Sequence, residues 1–422
     1  MQLSSWGTTM SRLSGIRSIM DDIAATAGRQ SDGAWCNLSP GNPAHIPEVV
    51  DTWRRLAGEA LHEDFFTAGG QYGPSRGANA LVDAVVRYFN AAYGWEIGPE
   101  NVAVGPGSQL LAYMAVNAFT GPAAGGDREL VLPCVPDYTG YQGLSMAEGG
   151  TAGVEPVVVH EDERRFRYAV DLDAVRRRTS MGAMLISSPG NPTGRCLDAA
   201  ELNGLIAIAE ERGVPLIVDH AYGQPFPRVV DAPSAPVFHP HVVNCFTFSK
   251  AGLPGERLGF AIGPAEVIDV LVSFTANAAL HAPQLVQMAA ARALDSGEID
   301  VLAAKTINPY YRAKRRTAEE LLHDRLPESV DWRLHSGDGG MFCWLWIDHP
   351  WFDDLDAYRA LKNRQVFVVP GRHFFVPPLD TPFLAGHGRR CVRLSLSGEE
   401  DVIARGIARL GEVLTELQRN AS

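Results

Sequence analysis

Between residues 102 and 262 the chain alternates short, β-branched apolar runs with longer segments of helical periodicity. The runs are Val102–Val104, Glu129–Pro133, Glu155–Val159, Ala183–Ser187, Leu216–Asp219, Val242–Phe248 and Leu258–Ile262. Helical patterns such as Ser108–Phe119 and Asp198–Arg212 lie between many of them. A short strand that is apolar on both faces must be covered on both faces. Strands joined through helices run parallel, because a parallel connection needs a crossover of about a dozen residues. This pattern predicts an α/β architecture built on a mostly parallel, buried sheet.

The two ends differ from the middle. Residues 1–48 are loop-rich and hold one amphipathic helical pattern. A long helical stretch, Glu298–Arg325, leads to strand-like runs at Gly340–Ile347, Val366–Val369 and Cys391–Leu396. The expected organisation is a large α/β domain over residues 50–300 and a smaller α+β domain assembled from 1–49 and 301–422. A chain of 422 residues with 46% apolar content can bury a large core.

Charge and cysteine usage narrow the partners. Thirty-seven basic residues stand against 49 acidic ones, a net charge of −12. That balance disfavours nucleic acid and anionic membranes, both of which need a basic face. The N-terminal segment has no apolar run of signal-peptide length. The longest apolar stretch, Met341–Ile347, is too short to span a bilayer. Cys36, Cys134, Cys196, Cys245, Cys343 and Cys391 are scattered, without a CxxC pair. They read as free thiols of a reducing cytoplasm, with no disulfide frame and no metal site.

Only four lysines occur: Lys250, Lys305, Lys314 and Lys362. Three sit in charge-rich helical patterns and read as solvated. Lys250 instead follows the apolar run Val-Asn-Cys-Phe-Thr-Phe-Ser and precedes a glycine-rich turn. An amine held there is desolvated, so its pKa falls and it becomes a nucleophile for a carbonyl. The plain alternative is a packed stem with its head in water.

Four more segments carry functional side chains at strand ends. Asp219 closes the run Val-Pro-Leu-Ile-Val, at the edge where α/β sheets bind ligands. Tyr222 follows three residues later and can face the same crevice. Ser188–Gly194 has two prolines and two glycines that fix a rigid turn, from which Asn191 projects. Gly105-Pro-Gly-Ser-Gln109 joins a strand to a helix, whose free N–H groups and positive end suit a phosphate. Arg393, on the apolar strand Cys-Val-Arg-Leu-Ser-Leu, calls for an anion such as a carboxylate. Each segment keeps a structural alternative: a capping Asp, an ordinary turn, an ordinary strand-to-helix connection, an internal salt bridge.

Together these parts match what pyridoxal phosphate requires: a Schiff-base lysine, an acid for the pyridinium nitrogen, a phosphate cradle and a carboxylate clamp. The chain resembles the fold-type I pyridoxal-phosphate aminotransferases over nearly its whole length, and within them the valine–pyruvate aminotransferases. The resemblance is carried by Pro40-Gly-Asn-Pro-Ala-His-Ile-Pro-Glu48, Asp137-Tyr-Thr-Gly-Tyr141, Asp219-His-Ala-Tyr-Gly-Gln-Pro-Phe-Pro227, the stretch from Phe248 to Gly259 around Ser249-Lys250, and Gly340-Met-Phe-Cys-Trp-Leu-Trp346.

The resemblance implies a mostly parallel seven-stranded sheet with helices on both faces. It implies that Lys250 binds the cofactor covalently and that Asp219 pairs with the ring nitrogen. Asn191 and Tyr222 would meet the ring 3-oxygen, and Tyr138 would stack on the ring. Ser108, Gln109, Ser249 and Arg257 would hold the phosphate. Tyr72 would reach the phosphate of a neighbouring subunit in a homodimer with shared active sites. Arg393 and Asn42, with Asn191, would hold the substrate carboxylate. His220 departs from the pattern, which more often has Asn after the aspartate, and the spacing from Lys250 to Arg257 is compact.

The expected activity is transfer of an amino group between an L-amino acid, small or branched aliphatic, and a 2-oxo acid, with alanine and pyruvate as partners. The alternative on the same scaffold is elimination, replacement or carbon–carbon bond formation. A non-catalytic binding domain is the rival from another class. The intact set Lys250, Asp219 and Arg393 weighs against it.

Overall fold

Seven strands make the central sheet: β1 (Val102–Gly105), β2 (Glu129–Leu132), β3 (Thr151–Gly153), β4 (Met181–Ser187), β5 (Leu216–Asp219), β6 (Val242–Thr247) and β7 (Gly259–Ile262). Their spatial order is β1-β7-β6-β5-β4-β2-β3. Only β7 runs against the others, pairing antiparallel with both β1 and β6. The computed structural model describes residues 1–11, 15–26, 34–232, 234–376 and 381–421.

Alternation along the strands sends side chains to opposite faces. Val102, Val104, Phe260 and Ile262 enter one apolar cluster, with the helices Pro47–Glu63, Asn79–Tyr93 and Gln284–Asp295. Ala103 and Ala261 enter another, with the helices Ser108–Phe119 and Ala199–Arg212. Every residue of β4, β5 and β6 is buried, as expected of strands covered on both faces. The helix after β4 starts as its sequence indicates: Asp198 and Glu201 form a reciprocal capping box.

A six-stranded sheet forms a second layer, ordered 369–370, 391–395, 342–347, 332–335, 165–169, 157–160. A third core lies beneath it, against the helices Asn308–Arg325, Asp354–Asn363 and Glu400–Ala421. Cys36–Asn37 pairs with Val366–Phe367, and Ser395 N donates to Leu38 O at 2.7 Å, tying the start of the chain to its end.

Several expectations are corrected. The run Glu155–Val159 is not a strand of the central sheet. Val157–His160 forms a hairpin with Arg165–Ala169 at the edge of the second sheet, where Val157 and Val159 are exposed. A four-residue turn cannot make a parallel crossover, so the two strands it joins pair antiparallel. Thr151–Gly153 takes the vacated edge of the central sheet. Residues 157–169 therefore share a sheet with the C-terminal strands although they fall inside the 50–300 stretch. The N-terminal segment has two helices, Ser5–Ser11 and Gly15–Thr26, where one was expected. The stretch from Glu298 is helical but passes through a π-helical segment at Leu302–Ile307. Lys314 is not solvated: it is buried, and its Nζ donates to Gly398 O at 2.7 Å.

Candidate active site

The C-terminal ends of β1, β4, β5 and β6 open onto one cavity of about 420 Å³, large enough for a cofactor-sized ligand. Its walls include Ser108, Gln109, Tyr138, Asn191, Asp219, Tyr222, Ser249, Lys250, Arg257, Arg393 and Asn42. Eleven of the twelve site residues expected from sequence thus meet in one place. Tyr72 does not: it is 86% exposed, outside the cavity, with its ring edge-on to His281 at 6.0 Å.

Lys250 lies in a 3₁₀ turn just past β6. Its Nζ donates to Gly41 O at 2.7 Å and stands 5.8 Å from the centre of the Tyr222 ring. Burial pulls its pKa down to about 8, helped by Arg393 and Arg257 and opposed by Asp219. The amine is still mostly protonated at physiological pH, but it gives up its proton far more readily than an ordinary lysine, which favours nucleophilic and base chemistry.

Asp219 ends β5 and is buried. Its Oδ2 accepts from Tyr141 Oη at 3.0 Å and its Oδ1 from Ala221 N at 3.1 Å. Burial pushes its carboxyl up to about 6, against the lowering effect of those donors and of Lys250. A buried carboxylate so placed has an open preference for a cation. Tyr138 meets Tyr141 edge to face at 5.3 Å and presses on Gly140, where a Cβ would come within 2.3 Å of its ring.

The turn after β1 carries the anion-binding geometry. Gly107, at φ 84°, precedes the helix Ser108–Phe119. A Cβ on Gly107 would sit 2.5 Å from Arg257 Nη2, so only glycine lets the guanidinium reach the helix N-terminus. Arg257 Nη1 also donates to Ser249 Oγ at 3.2 Å, and Ser249 Oγ accepts from Thr247 Oγ1 at 2.9 Å. A guanidinium, two hydroxyls and free helix N–H groups converge, and among the described residues no acidic side chain is hydrogen-bonded to them. This donor set fits a phosphate group. Gln109 is turned aside, its Nε2 donating to Gly140 O at 3.1 Å.

Arg393 is buried in the second sheet. Among the described residues its guanidinium has no carboxylate partner, so an internal salt bridge between them is not what holds it. Nη1 donates to Asn191 Oδ1 at 3.0 Å, Nη2 to Ser39 O at 2.5 Å, and Nε is buried without a partner. The rings of Phe342 and Phe374 lie 4.2 and 5.1 Å from its centre. Burial pulls its pKa down to about 10. A buried cation lacking a counter-ion is an anion site.

Some functional groups escaped the sequence reading. Tyr141 lay in a quoted motif without a role, and it proves to be the hydroxyl on Asp219. Asp137 is a buried hub: Ser187 donates to it from both Oγ and N, and its own N donates to Phe374 O at 3.0 Å. Burial pushes its carboxyl up to about 7. It ties the Tyr138 segment to the end of β4 and to the Arg393 clamp. Ile19, Met20 and Ile23 of the N-terminal helix also line the cavity, as does Val369. His220 does not. Its ring stacks on Phe246 at 4.9 Å, its Nε2 pairs with Asn244 Oδ1 at 2.9 Å, and burial lowers its pKa to about 4.

Comparison with known proteins agrees with this geometry. The aminotransferase class I and II family profile matches residues 35–410. The chain is 30% identical to the valine–pyruvate aminotransferase of Escherichia coli K12 over 414 residues, 98% of each chain. Its fold superposes on a putative amino-acid aminotransferase from Psychrobacter arcticum with a TM-score of 0.93 at 30% identity, covering all of both chains. It superposes on valine-pyruvate aminotransferase AvtA from Salmonella typhimurium with a TM-score of 0.85 at 29% identity, covering 96% of this chain and 100% of that one. The fold, the lysine-centred cavity and these likenesses together establish that the chain belongs to the aminotransferase class I and II family, whose transaminases use pyridoxal phosphate.

Proposed function

We propose that the protein transfers the amino group between L-amino acids with small or branched aliphatic side chains and 2-oxo acids, with alanine and pyruvate as one pair. The observation that carries this is the convergence on one cavity of Lys250, Asp219 and Arg393, the last without a carboxylate partner among the described residues. The valine–pyruvate relative supports the choice of substrate.

In this reading Ser108, Ser249 and Arg257 hold the cofactor phosphate, with Gln109 beside them. Asp219 pairs with the ring nitrogen, and Tyr141 and Ala221 N hold that carboxylate in place. Tyr138 covers the ring face, while Asn191 and Tyr222 meet its 3-oxygen. Pyridoxal phosphate supplies a carbonyl for amines and a ring that spreads the charge left when the α-proton departs. Lys250 would hold the cofactor through its amine and, once the incoming substrate amine has freed it, would take the substrate α-proton as base and return a proton as acid. Arg393 binds the substrate carboxylate through two parallel donors, with Asn42 and Asn191 completing the clamp.

The division into a unit of residues 50–300 and one of 1–49 with 301–422 belongs to the same reading. It puts Lys250, Asp219 and Arg257 on one body and Asn42 and Arg393 on the other. So does a homodimer in which Tyr72 reaches the partner's phosphate site. Among the described residues no helix is long and apolar enough to cross a membrane. With the scattered buried thiols, this supports the cytoplasm as the place of action.

The test is direct. Holoenzyme is incubated with L-alanine and 3-methyl-2-oxobutanoate, and valine and pyruvate are quantified. Equal formation of both is expected. Failure to form either at full cofactor occupancy overturns the assignment.

A further inference from the structure

The substrate side of the cavity is walled by the N-terminal helix Gly15–Thr26 through Ile19, Met20 and Ile23, with Val369 beside them. Ile19 is 5% exposed and packs into the third core, Ile23 packs against that core, and Met20 is 56% exposed. The helix is therefore a built wall, not a loose strand of chain. One acid anchors it: Asp22 Oδ2 accepts from Tyr358 Oη at 2.7 Å, and Asp22 Oδ1 pairs with Lys362 Nζ. Tyr358 and Lys362 both sit on the helix Asp354–Asn363.

The charges lining the cavity complete the argument. Among the described residues the cationic side chains lining it are Lys250, Arg257 and Arg393, and the one carboxylate is Asp219. Each already has a role in the proposed reaction, on which this inference rests. No further cation of the described residues faces the apolar wall. A second carboxylate on the substrate would be buried there without a partner, at a large cost. A branched aliphatic side chain would instead exchange water for Ile19, Met20 and Ile23.

We propose that Ile19, Met20 and Ile23 form the side-chain subsite, selecting aliphatic over dicarboxylic substrates, and that Asp22 is a positioning residue that holds this wall in register through Tyr358 and Lys362.

Two arms test it, both on holoenzyme. In the first, calorimetry measures Kd for unreactive carboxylates: 3-methylbutanoate, acetate and succinate. Wild type is expected to bind 3-methylbutanoate more tightly than succinate. Ile19→Ala/Ile23→Ala is expected to weaken 3-methylbutanoate about 10-fold or more while leaving acetate within about threefold, the range that lost methylene contacts produce. In the second, kcat/KM is compared for L-valine and L-alanine. The double variant and Asp22→Asn should each lose valine selectively, mainly through KM. Met20→Ala, at an exposed position that folding tolerates, should show the same selectivity in smaller measure. Equal losses for valine and alanine across these variants, or tighter wild-type binding of succinate than of 3-methylbutanoate, overturn the proposal. A wild type inert toward every amino acid would overturn transamination, while the binding arm would still decide the wall.

Discussion

Arg393 Nη1 donates to Asn191 Oδ1 at 3.0 Å, bridging a strand of the second sheet to the turn that leaves β4 of the first. In the proposed reaction the pair would place the carboxylate clamp and the ring-binding amide in one network. A lysine at 393 would keep charge but lose the planar fork that meets Asn191, Ser39 O and a carboxylate at once. Arg393→Lys should lower kcat/KM for every amino acid by about 100-fold or more, about 3 kcal/mol of transition-state binding, with the cofactor's absorbance unchanged. Steady-state kinetics with two substrates of different side chain checks this. A side-chain-dependent loss would contradict a clamp on the shared carboxylate.

Lys250→Ala should abolish covalent attachment. Borohydride reduction followed by mass spectrometry should add the mass of the reduced cofactor to wild type, at Lys250, and nothing to the variant. An adduct retained at any of the other three lysines would displace Lys250 from its role. Lys314 is the informative control, since it too is buried.

Burial holds the Asp219 carboxyl at about 6, against 3.8 in a free chain. The folded protein without cofactor therefore binds more protons than the unfolded chain between those values. Stability contributed by this group is present below the unfolded pKa and is lost as pH rises through the folded one. The rise corresponds to about 3 kcal/mol. Cofactor-free Asp219→Asn should accordingly be more stable than wild type at pH 8 by up to about 3 kcal/mol. The gap should close toward pH 4. Urea unfolding at both pH values measures it. The same variant should slow α-proton transfer in single-turnover experiments by several powers of ten, because Asn cannot hold a protonated ring nitrogen.

The amino-acid sequence exposed the sheet and most of the site because strand ends are where pattern and chemistry coincide. Asp219, Asn191, Ser108 and Lys250 each end or follow a buried strand, so the short continuous apolar runs locate them. Groups that depend on tertiary contact were not legible. Tyr141 reaches Asp219 across 78 residues of chain, and nothing local marks it. Ile19, Met20 and Ile23 look like any amphipathic helix until the fold sets them against the cavity. The misplaced strand at Glu155–Val159 fails for a physical reason as well. Its continuous run Val157–Val159 resembles those of the buried strands, and composition does not say which sheet receives it. Lys314 was read as solvated because helical charge density does not reveal that Gly398 O lies over its head.

Asp137 invites an isosteric test. Asp137→Asn preserves shape but replaces one acceptor facing Ser187 with a donor, and Ser187 already donates from both N and Oγ. The clash should loosen the end of β4 and with it Asn191. Cofactor affinity should fall by about 10-fold, at a cost of about 1–2 kcal/mol for the unmet hydrogen bond. Equilibrium dialysis of the cofactor measures this independently of turnover. Unchanged affinity together with unchanged melting temperature would leave Asp137 without a positioning role.

Tyr72 provides the test of shared sites. It is exposed and is not among the residues lining the cavity of its own chain, and Phe65, Phe66 and Leu280 are exposed as well. Four large apolar side chains left in water favour association. In the proposed homodimer, a closed two-fold interface is the arrangement in which each Tyr72 could reach the other subunit's phosphate site. Tyr72→Ala and Lys250→Ala should each be inactive or strongly impaired alone. Mixed under conditions that exchange subunits, they should regain activity. One site of a mixed dimer then carries both lesions and the other carries neither, so random exchange should restore about a quarter of the wild-type site activity. Exchange is verified separately by mass-tagged subunits. Recovery near that level supports a site built from two chains. Its absence despite demonstrated exchange, or a monomeric mass by sedimentation at assay concentration, would confine Tyr72 to packing its own loop.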